Sequence, residues 1–103
     1  MFPKTTYKRY KPKRGERGKF SESTRVQIAG RDLGTCQQCL GQGSEIHHVM
    51  FKSRSGRGVF TNGVTLCQGC HSMVHRDNSL AEKWIDIFTD RYGPNFYKDE
   101  HDE

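Results

Sequence analysis

Two stretches of the chain carry apolar residues at helical spacing. Residues 21–31 open with capping residues and place Val26 on one face with Ala29 or Gly30, which predicts a short helix. Residues 79–91 begin with the sequence SLAE, a capping box, and continue with an apolar stripe that is typical of a buried helix face. The stripe consists of Leu80, Trp84, Ile87 and Phe88.

Shorter apolar runs between these two helices predict strands and one more helix. Residues 45–50 alternate well enough for a strand, with Ile46 and Val49 as candidates for burial. A second strand is expected through residues 64–66, and a helix over residues 68–76 follows it. These elements together predict a small α+β fold.

Charge and composition divide the chain into three parts. Residues 1–20 hold eight lysines and arginines against one glutamate, lack a hydrophobic period, and predict a flexible basic arm. Residues 21–93 are the predicted domain, and residues 94–103 are a predicted acidic tail. A basic arm suits a polyanion such as nucleic acid, and a purely solubilising tail fits the same composition equally well.

The small hydrophobic fraction limits how the chain can be stabilised. Only 32% of its 103 residues are hydrophobic, and domains of this kind usually need a disulfide, a metal or a partner to stay folded. No apolar run is long enough for a signal peptide or a membrane span, which predicts a cytoplasmic protein without a membrane partner. In a reducing compartment, paired cysteines more often bind metal than form disulfides.

The four cysteines form two CxxC pairs. Cys36 and Cys39 make the first pair, and Cys67 and Cys70 make the second. Two thiolates three positions apart can hold one ion from a tight turn, and two such turns complete a tetrahedral site. The pattern therefore predicts a structural zinc ion with no open coordination position. A redox CxxC motif or two disulfides would be the alternatives, and both fit two similar pairs less well.

Four histidines lie close to the cysteine pairs. His47 and His48 are neighbours on a predicted strand and should point to opposite faces, so we expect different roles for them. His71 and His75 are one helical turn apart and can converge on one metal ion. Histidines that simply face solvent are the alternative for each position. The grouping of all four beside a zinc clamp predicts a second, functional metal site.

Three segments of the sequence carry a family resemblance. The runs EIHHV, NGVTLC and QGCHSMVH, within residues 20–76, resemble the HNH endonuclease motif, and in particular the small zinc-clamped HNH proteins of bacteriophages and mobile elements. The resemblance implies a ββα-metal (His-Me finger) core, in which two antiparallel strands and a helix hold a catalytic cation. It also implies a metal-dependent DNA endonuclease that hydrolyses phosphodiester bonds.

The resemblance also implies a role for each residue that matches the motif. His48 takes the place of the general base, and Asn62 takes the place of the central asparagine that fixes the loop geometry. His47, His71 and His75 take the places of ligands to the catalytic divalent cation. Imidazole ligands favour Mn²⁺, Ni²⁺, Co²⁺ or Zn²⁺ over Mg²⁺, which prefers oxygen.

Several cations flank the proposed site and are candidate contacts to DNA phosphates. They are Arg25, Lys52, Arg54, Arg57 and Arg76. Such cations position the DNA backbone without reading bases, and an ordinary solvated side chain is the alternative for each of them. Because no segment resembles a base-reading helix, we expect low sequence specificity, with nicking or double-strand cutting both open.

Two other functions remain open at the level of sequence. A zinc-ribbon-like DNA-binding module without catalysis would explain the cysteines and the basic arm, but not the placement of the histidines and Asn62. An accessory subunit of a phage DNA-packaging assembly, working with a terminase or other packaging proteins in the bacterial host cytoplasm, is the third possibility.

Overall fold

The computed structural model describes residues 14–102 as a small α+β fold of two antiparallel strands and several helices. The predicted basic arm lies mostly outside these residues, because residues 1–13 are not described. Short 3₁₀ turns occur at Lys52–Arg54 and Phe60–Asn62. The elements in chain order are α1 (Arg14–Arg17), α2 (Glu22–Arg31), β1 (Glu45–His48), β2 (Gly63–Leu66), α3 (Gln68–Arg76) and α4 (Asn78–Tyr92).

Helix α2 forms where the sequence predicted it, but it buries a different face. Its N-cap is Ser21, whose hydroxyl accepts a hydrogen bond from the backbone N–H of Thr24 at 3.1 Å. The buried residue is Ile28, whereas Val26 is 63% exposed, so the predicted apolar face was wrong. Ile28 fits closely over Gly63 of β2, where an added Cβ atom would lie only 2.3 Å from the Ile28 side chain.

The two strands pair in an antiparallel hairpin that places one histidine in the interior. The register pairs Glu45 with Leu66 and His47 with Val64. Every residue of β2 is buried, whereas in β1 only His47 is fully buried and Ile46 is partly exposed. The buried position of β1 is therefore polar, which alternation of apolar residues could not predict.

Helices α3 and α4 follow β2 and meet at a tight junction. Helix α3 spans the predicted residues, and the Sγ atom of its N-cap Cys67 accepts a hydrogen bond from the N–H of Cys70 at 3.4 Å. Helix α4 is capped by Asp77, whose carboxylate accepts hydrogen bonds from both the N–H and the hydroxyl of Ser79. The predicted capping box at Ser79 was therefore misplaced by two residues. Gly93 ends α4 with a positive φ of 96°.

The hydrophobic core lies where α4 packs against the hairpin and α3. Its aromatic part is centred on Phe88, which is fully buried and makes edge-to-face contacts with Trp84 and Phe96 at centroid distances of 6.2 and 6.1 Å. Two residues of the predicted stripe are buried, Trp84 and Phe88, and the other two are partly exposed. Phe96 belongs to the predicted acidic tail, so this part of the tail packs into the core.

An ion pair at the end of α2 joins that helix to β2. The guanidinium of Arg31 donates two hydrogen bonds of 2.8 Å to the carboxylate of Asp32 and one of 2.6 Å to the carbonyl of Gly63. Asp32 in turn accepts the backbone N–H of Thr65 at 2.9 Å. The outer edge of β2 is thereby satisfied in part by side chains, and the helix is fixed against the hairpin.

A second group of ion pairs joins the two ends of the described chain. Arg17 donates to Asp99 at 2.9 Å and to Asp102 at 2.8 Å, and Arg57 donates to Asp102 at 3.0 Å. All four side chains are less than one fifth exposed. Arg17 lies in the predicted arm and both aspartates lie in the predicted tail, so these two segments contact each other.

The helices that the structure describes are too short or too polar to span a bilayer.

We expect Phe88→Ala to lower the free energy of unfolding by about 3–5 kcal/mol, because it leaves a cavity among three aromatic rings. Val26→Ala is the matched control and should change it by less than about 0.5 kcal/mol, since Val26 is exposed. Urea unfolding of the zinc-loaded protein measures both. Equal losses for the two variants would contradict this assignment of the core.

Candidate metal centres and active site

The two CxxC pairs come together as one cluster. The Sγ atoms of its four cysteines all lie within 4.8 Å of one another, and none of these thiols is in a disulfide. The first turn is held by hydrogen bonds from the N–H of Cys39 to Cys36 Sγ and from the N–H of Gly41 to Cys39 Sγ, both 3.4 Å. Four sulfurs on two tight turns are the donor set of a structural zinc site. The cluster comprises Cys36, Cys39, Cys67 and Cys70.

The ionisation of these thiols fits a cation at their centre. Burial opposes ionisation of Cys36, but backbone N–H groups, that of Cys39 foremost, outweigh it and lower its pKa to about 6. Burial and the neighbouring thiols raise the pKa of Cys70 to about 12. The protein alone therefore cannot keep all four sulfurs as thiolates at neutral pH. A soft dication at the centre compensates their charge, so the residues present fit zinc.

The first knuckle is tied to the body of the fold by a side chain of helix α4. Trp84 of α4 donates its indole N–H to the side-chain oxygen of Gln38 at 3.0 Å. Within the knuckle, the N–H of Leu40 donates to the carbonyl of Cys36 at 2.8 Å, and Leu40 has a positive φ of 69°. These contacts set the direction in which both sulfurs of the first pair point.

Three histidines form a second cluster of potential metal ligands. The nitrogen atoms that His47, His71 and His75 offer all lie within 4.8 Å of one another. The Nε2 atoms of His71 and His75 face each other at 3.2 Å across one turn of α3. His47 reaches the same point from β1, with its ring edge-on to both others at 5.1 and 5.2 Å. A hairpin strand and a helix thus converge on one position.

His47 carries the clearest sign of a missing partner. Its side chain is fully buried, and neither ring nitrogen has a hydrogen-bond partner among the described residues. Burial, followed by the two neighbouring imidazoles, lowers its pKa to about 3, so the ring is neutral at physiological pH. An unpaired buried imidazole is costly, and a metal ion would satisfy one of its two nitrogens. The three rings therefore fit a divalent cation.

Glu45 contacts one histidine of this cluster and orients its ring. The motif residues alone did not predict this role. Its carboxylate lies 2.5 Å from Nδ1 of His71, and so fixes Nε2 of that ring toward His75. A carboxylate on the far nitrogen of a metal-binding histidine orients the ring and raises its basicity. The signal was present in the sequence, because Glu45 and His47 are two residues apart on one strand face.

His48 lies outside the three-histidine cluster, as expected for the opposite position on the strand. Its Nε2 atom hydrogen-bonds the carbonyl of Gly18, and its ring stacks on Phe20 at a centroid distance of 4.2 Å. Since a carbonyl can only accept, Nε2 carries the hydrogen and Nδ1 keeps its lone pair. Burial is the main effect that lowers the pKa of His48, and the positive charges of Lys52 and Arg25 also lower it.

An open cleft joins His48 to the histidine cluster. It has a volume of about 390 Å³ and is lined by His48, Phe51, Lys52, Ser53, His71 and His75. A neutral imidazole, a candidate metal position and a cation therefore share one accessible space. A group bound in the cleft could be polarised by a metal ion on the histidine cluster and deprotonated by His48.

Asn62 has a structural role in the loop between the strands. It is fully buried, accepts the N–H of Met50 at 2.8 Å and donates to the carbonyls of Met50 and Arg57 at 3.2 and 2.9 Å. These bonds fix the start and the end of the loop over residues 50–57. Asn62 therefore holds the two ends of this loop together, and its amide is occupied by the protein.

The five cations predicted to contact DNA differ in their surroundings. Arg25, Lys52 and Arg76 are exposed. Arg54 is also exposed and pairs with Glu82 at 3.4 Å. Arg57 is only 8% exposed and donates to Asp102, so it is not the solvated side chain that the sequence left as the alternative. Because the Asp102 carboxylate neutralises the charge of the Arg57 guanidinium, this arginine is unsuited to contact a DNA phosphate.

Comparison with known families agrees with this geometry. Residues 36–77 match the family model described as HNH endonuclease. The matched segment is similar to an HNH endonuclease domain. The matched segment contains both cysteine pairs, the three clustered histidines, His48 and Asn62. A match to this family indicates a nuclease in general, with DNA as the class of substrate. No curated protein sequence matches the chain.

The HNH domain should bind metal at two independent positions. We expect the purified protein to hold one ion on the cysteines and one on the histidines, and the double variant His71→Ala/His75→Ala to hold only the first. Metal analysis combined with native mass spectrometry measures this stoichiometry. His101→Ala is the control, since this histidine contacts neither cluster, and it should keep both ions. A double variant with unchanged metal content would contradict the histidine site.

Proposed function

We propose that this protein is a metal-dependent DNA endonuclease that hydrolyses phosphodiester bonds, with His48 as the general base. The observation that carries the proposal is the three-histidine cluster opening into the same cleft as His48. The match to the HNH family supports a nuclease at the level of the domain. A zinc-ribbon-like binding module would have no use for an orphaned His47 beside a second cluster of metal-binding groups.

In this mechanism, the protein prepares His48 to accept a proton. The carbonyl of Gly18 holds the hydrogen on Nε2, so Nδ1 is the atom that would take a proton from a water molecule attacking phosphorus. The lowered pKa of His48, caused mainly by burial, keeps the ring neutral and able to act as a base. Stacking on Phe20 restricts the rotation of the ring. His48 is therefore oriented before substrate binds.

The histidine cluster would hold the catalytic cation. His47, His71 and His75 supply three nitrogen ligands, and Glu45 orients His71 from the far side. When bound, the cation supplies Lewis-acid stabilisation of the charge that develops on the phosphate and on the departing 3′ oxygen. The four cysteines would hold a structural zinc ion that takes no part in the chemistry, because their sulfurs fill a tetrahedral shell.

DNA would bind across the mouth of the cleft. Lys52 lines the cleft, and Arg25 is close enough to influence the ionisation of His48, so both are suited to contact a phosphate beside the scissile bond. Arg54 and Arg76 are exposed cations that would extend this contact. We expect low sequence specificity, since phosphate contacts position DNA without reading its bases.

Substitution of the proposed base tests the mechanism. We expect His48→Ala to lower the rate of plasmid cleavage by about 10²–10⁴-fold, the range for loss of a general base, while metal content and DNA affinity stay the same. His101→Ala is the matched control and should cleave like the wild type, because its ring contacts only Glu100 among the described residues. Unchanged cleavage by His48→Ala would refute the role of His48.

The identity of the ligands predicts a metal preference. With three imidazole ligands, we expect cleavage to be faster with Mn²⁺, Ni²⁺ or Co²⁺ than with Mg²⁺. Plasmid cleavage by the wild type across a panel of divalent metals measures it. Activity that is highest with Mg²⁺ and absent with the transition metals would contradict a three-histidine site. DNA binding without cleavage under every metal would favour the binding module, and cleavage that rises sharply with packaging proteins would favour the accessory subunit.

A further inference from the structure

The ring of His48 is held by residues that lie outside the matched HNH segment. Both of its described ring contacts come from the strap, by which we mean residues 17–20. Gly18 supplies the carbonyl that binds Nε2, and Phe20 supplies the stacked ring, at an interplanar angle of 28°. The family match begins only at residue 36. The orientation of His48 therefore depends on the position of a segment that the motif does not include.

The strap has little hydrogen bonding of its own and is held by the loop between the strands. The carbonyl of Arg17 accepts the N–H of Gly58 at 2.7 Å. Gly58 approaches so closely that a Cβ atom there would lie 1.9 Å from the carbonyl oxygen of Lys19. Only glycine fits at this position without moving the strap. The chain on both sides of the Gly18 carbonyl is thereby held against the hairpin loop.

The side chain of Arg17 fixes the strap from its other side. Its guanidinium makes two hydrogen bonds to Asp99, at 2.9 and 3.1 Å, and one to Asp102 at 2.8 Å. The Arg17 side chain is only 7% exposed, so these bonds are shielded from competition by water. We define these three residues as the clasp. Arg17, the first residue of the clasp, immediately precedes Gly18 in the chain.

The clasp is itself anchored to the hydrophobic core. Phe96 is buried against Phe88, and the carbonyl of Phe96 accepts the hydroxyl of Thr61. The carbonyl of Tyr97 accepts the N–H of Arg57 at 3.0 Å, so the C-terminal turn that carries both aspartates is fixed to the hairpin loop. A continuous series of contacts therefore runs from the core through the clasp and the strap to Nε2 of His48.

From this series of contacts we infer that the clasp is a positioning device, which holds the Gly18 carbonyl so that His48 keeps its hydrogen on Nε2 and its lone pair on Nδ1. Arg17, Asp99 and Asp102 are thus positioning residues for the base, although none of them lines the cleft. The inference rests on the proposed function only in so far as it concerns catalysis. The orientation of His48 is a property of the protein that can be measured without cleavage.

The first arm of the test measures the His48 ring by NMR in the full-length, zinc-loaded protein. Long-range ¹H–¹⁵N spectra distinguish the Nε2–H from the Nδ1–H tautomer, and His48→Ala assigns the signals. We expect the Nε2–H form in the wild type and a mixture of the two forms in Arg17→Gln. Arg17→Lys should be intermediate because it keeps a positive charge near the aspartates. Arg91→Gln is the control, since Arg91 contacts only Phe88 and Tyr92 among the described residues, and it should match the wild type.

The second arm measures cleavage kinetics. We expect Arg17→Gln to lower kcat by about 10- to 100-fold, with KM changed by less than about twofold, because misplacing a catalytic group affects the reaction more than the binding. If Arg17→Gln loses metal or fails to fold, Asp99→Asn replaces it, since Arg17 then keeps Asp102, and a smaller shift in the same direction is expected.

The outcomes separate the two hypotheses. A folded Arg17→Gln protein with the tautomer and kcat of the wild type would refute the clasp as a positioning device. Where Asp99→Asn replaces Arg17→Gln, the same result for Asp99→Asn would refute it. A wild type that never cleaves DNA would refute the nuclease, and the NMR comparison would still decide whether the clasp orients His48.

Discussion

The convergence of the two CxxC turns is the constraint on which the rest of the structure depends. It joins the knuckle at Cys36 and Cys39 to the start of α3 at Cys67 and Cys70, across 27 residues of intervening chain that include the whole hairpin loop. Binding of structural zinc contributes about 10–16 kcal/mol in small domains, as much as the entire net stability of a typical fold. With only 32% hydrophobic residues, this chain has a small core, and the sulfur cluster lies beside it.

The same convergence brings the histidines together. Cys70 is followed directly by His71, and β2 leads into Cys67, so the cluster fixes the start of α3 against the hairpin. His71 and His75 then project from the helix toward His47 on β1. A buried imidazole with two unpaired nitrogens is unfavourable for folding by itself. The burial of His47 without a hydrogen-bond partner therefore supports the proposed metal site.

The proposed base and the proposed metal ligands depend on different parts of the fold. The ligands are held by the hairpin and α3, within the HNH segment, whereas His48 is held by the strap and, through Arg17, by the C-terminal turn. The segments outside the motif therefore contribute to the geometry of the cleft.

The sequence by itself determined the features that depend on local spacing. The CxxC pairs, the i, i+4 histidines and the helix over residues 68–76 were all predicted, because two ligands on one turn are close in any fold that contains that turn. Only the tertiary structure decided which groups outside the cysteine and histidine motifs meet. Two of these contacts, Arg57 with Asp102 and Gly18 with His48, join residues at least 30 positions apart. The burial of Ile28 in place of Val26 depends on contacts of the same kind. Spacing along the chain carries no information about these contacts, since they arise from the packing of the core and the closure of the hairpin.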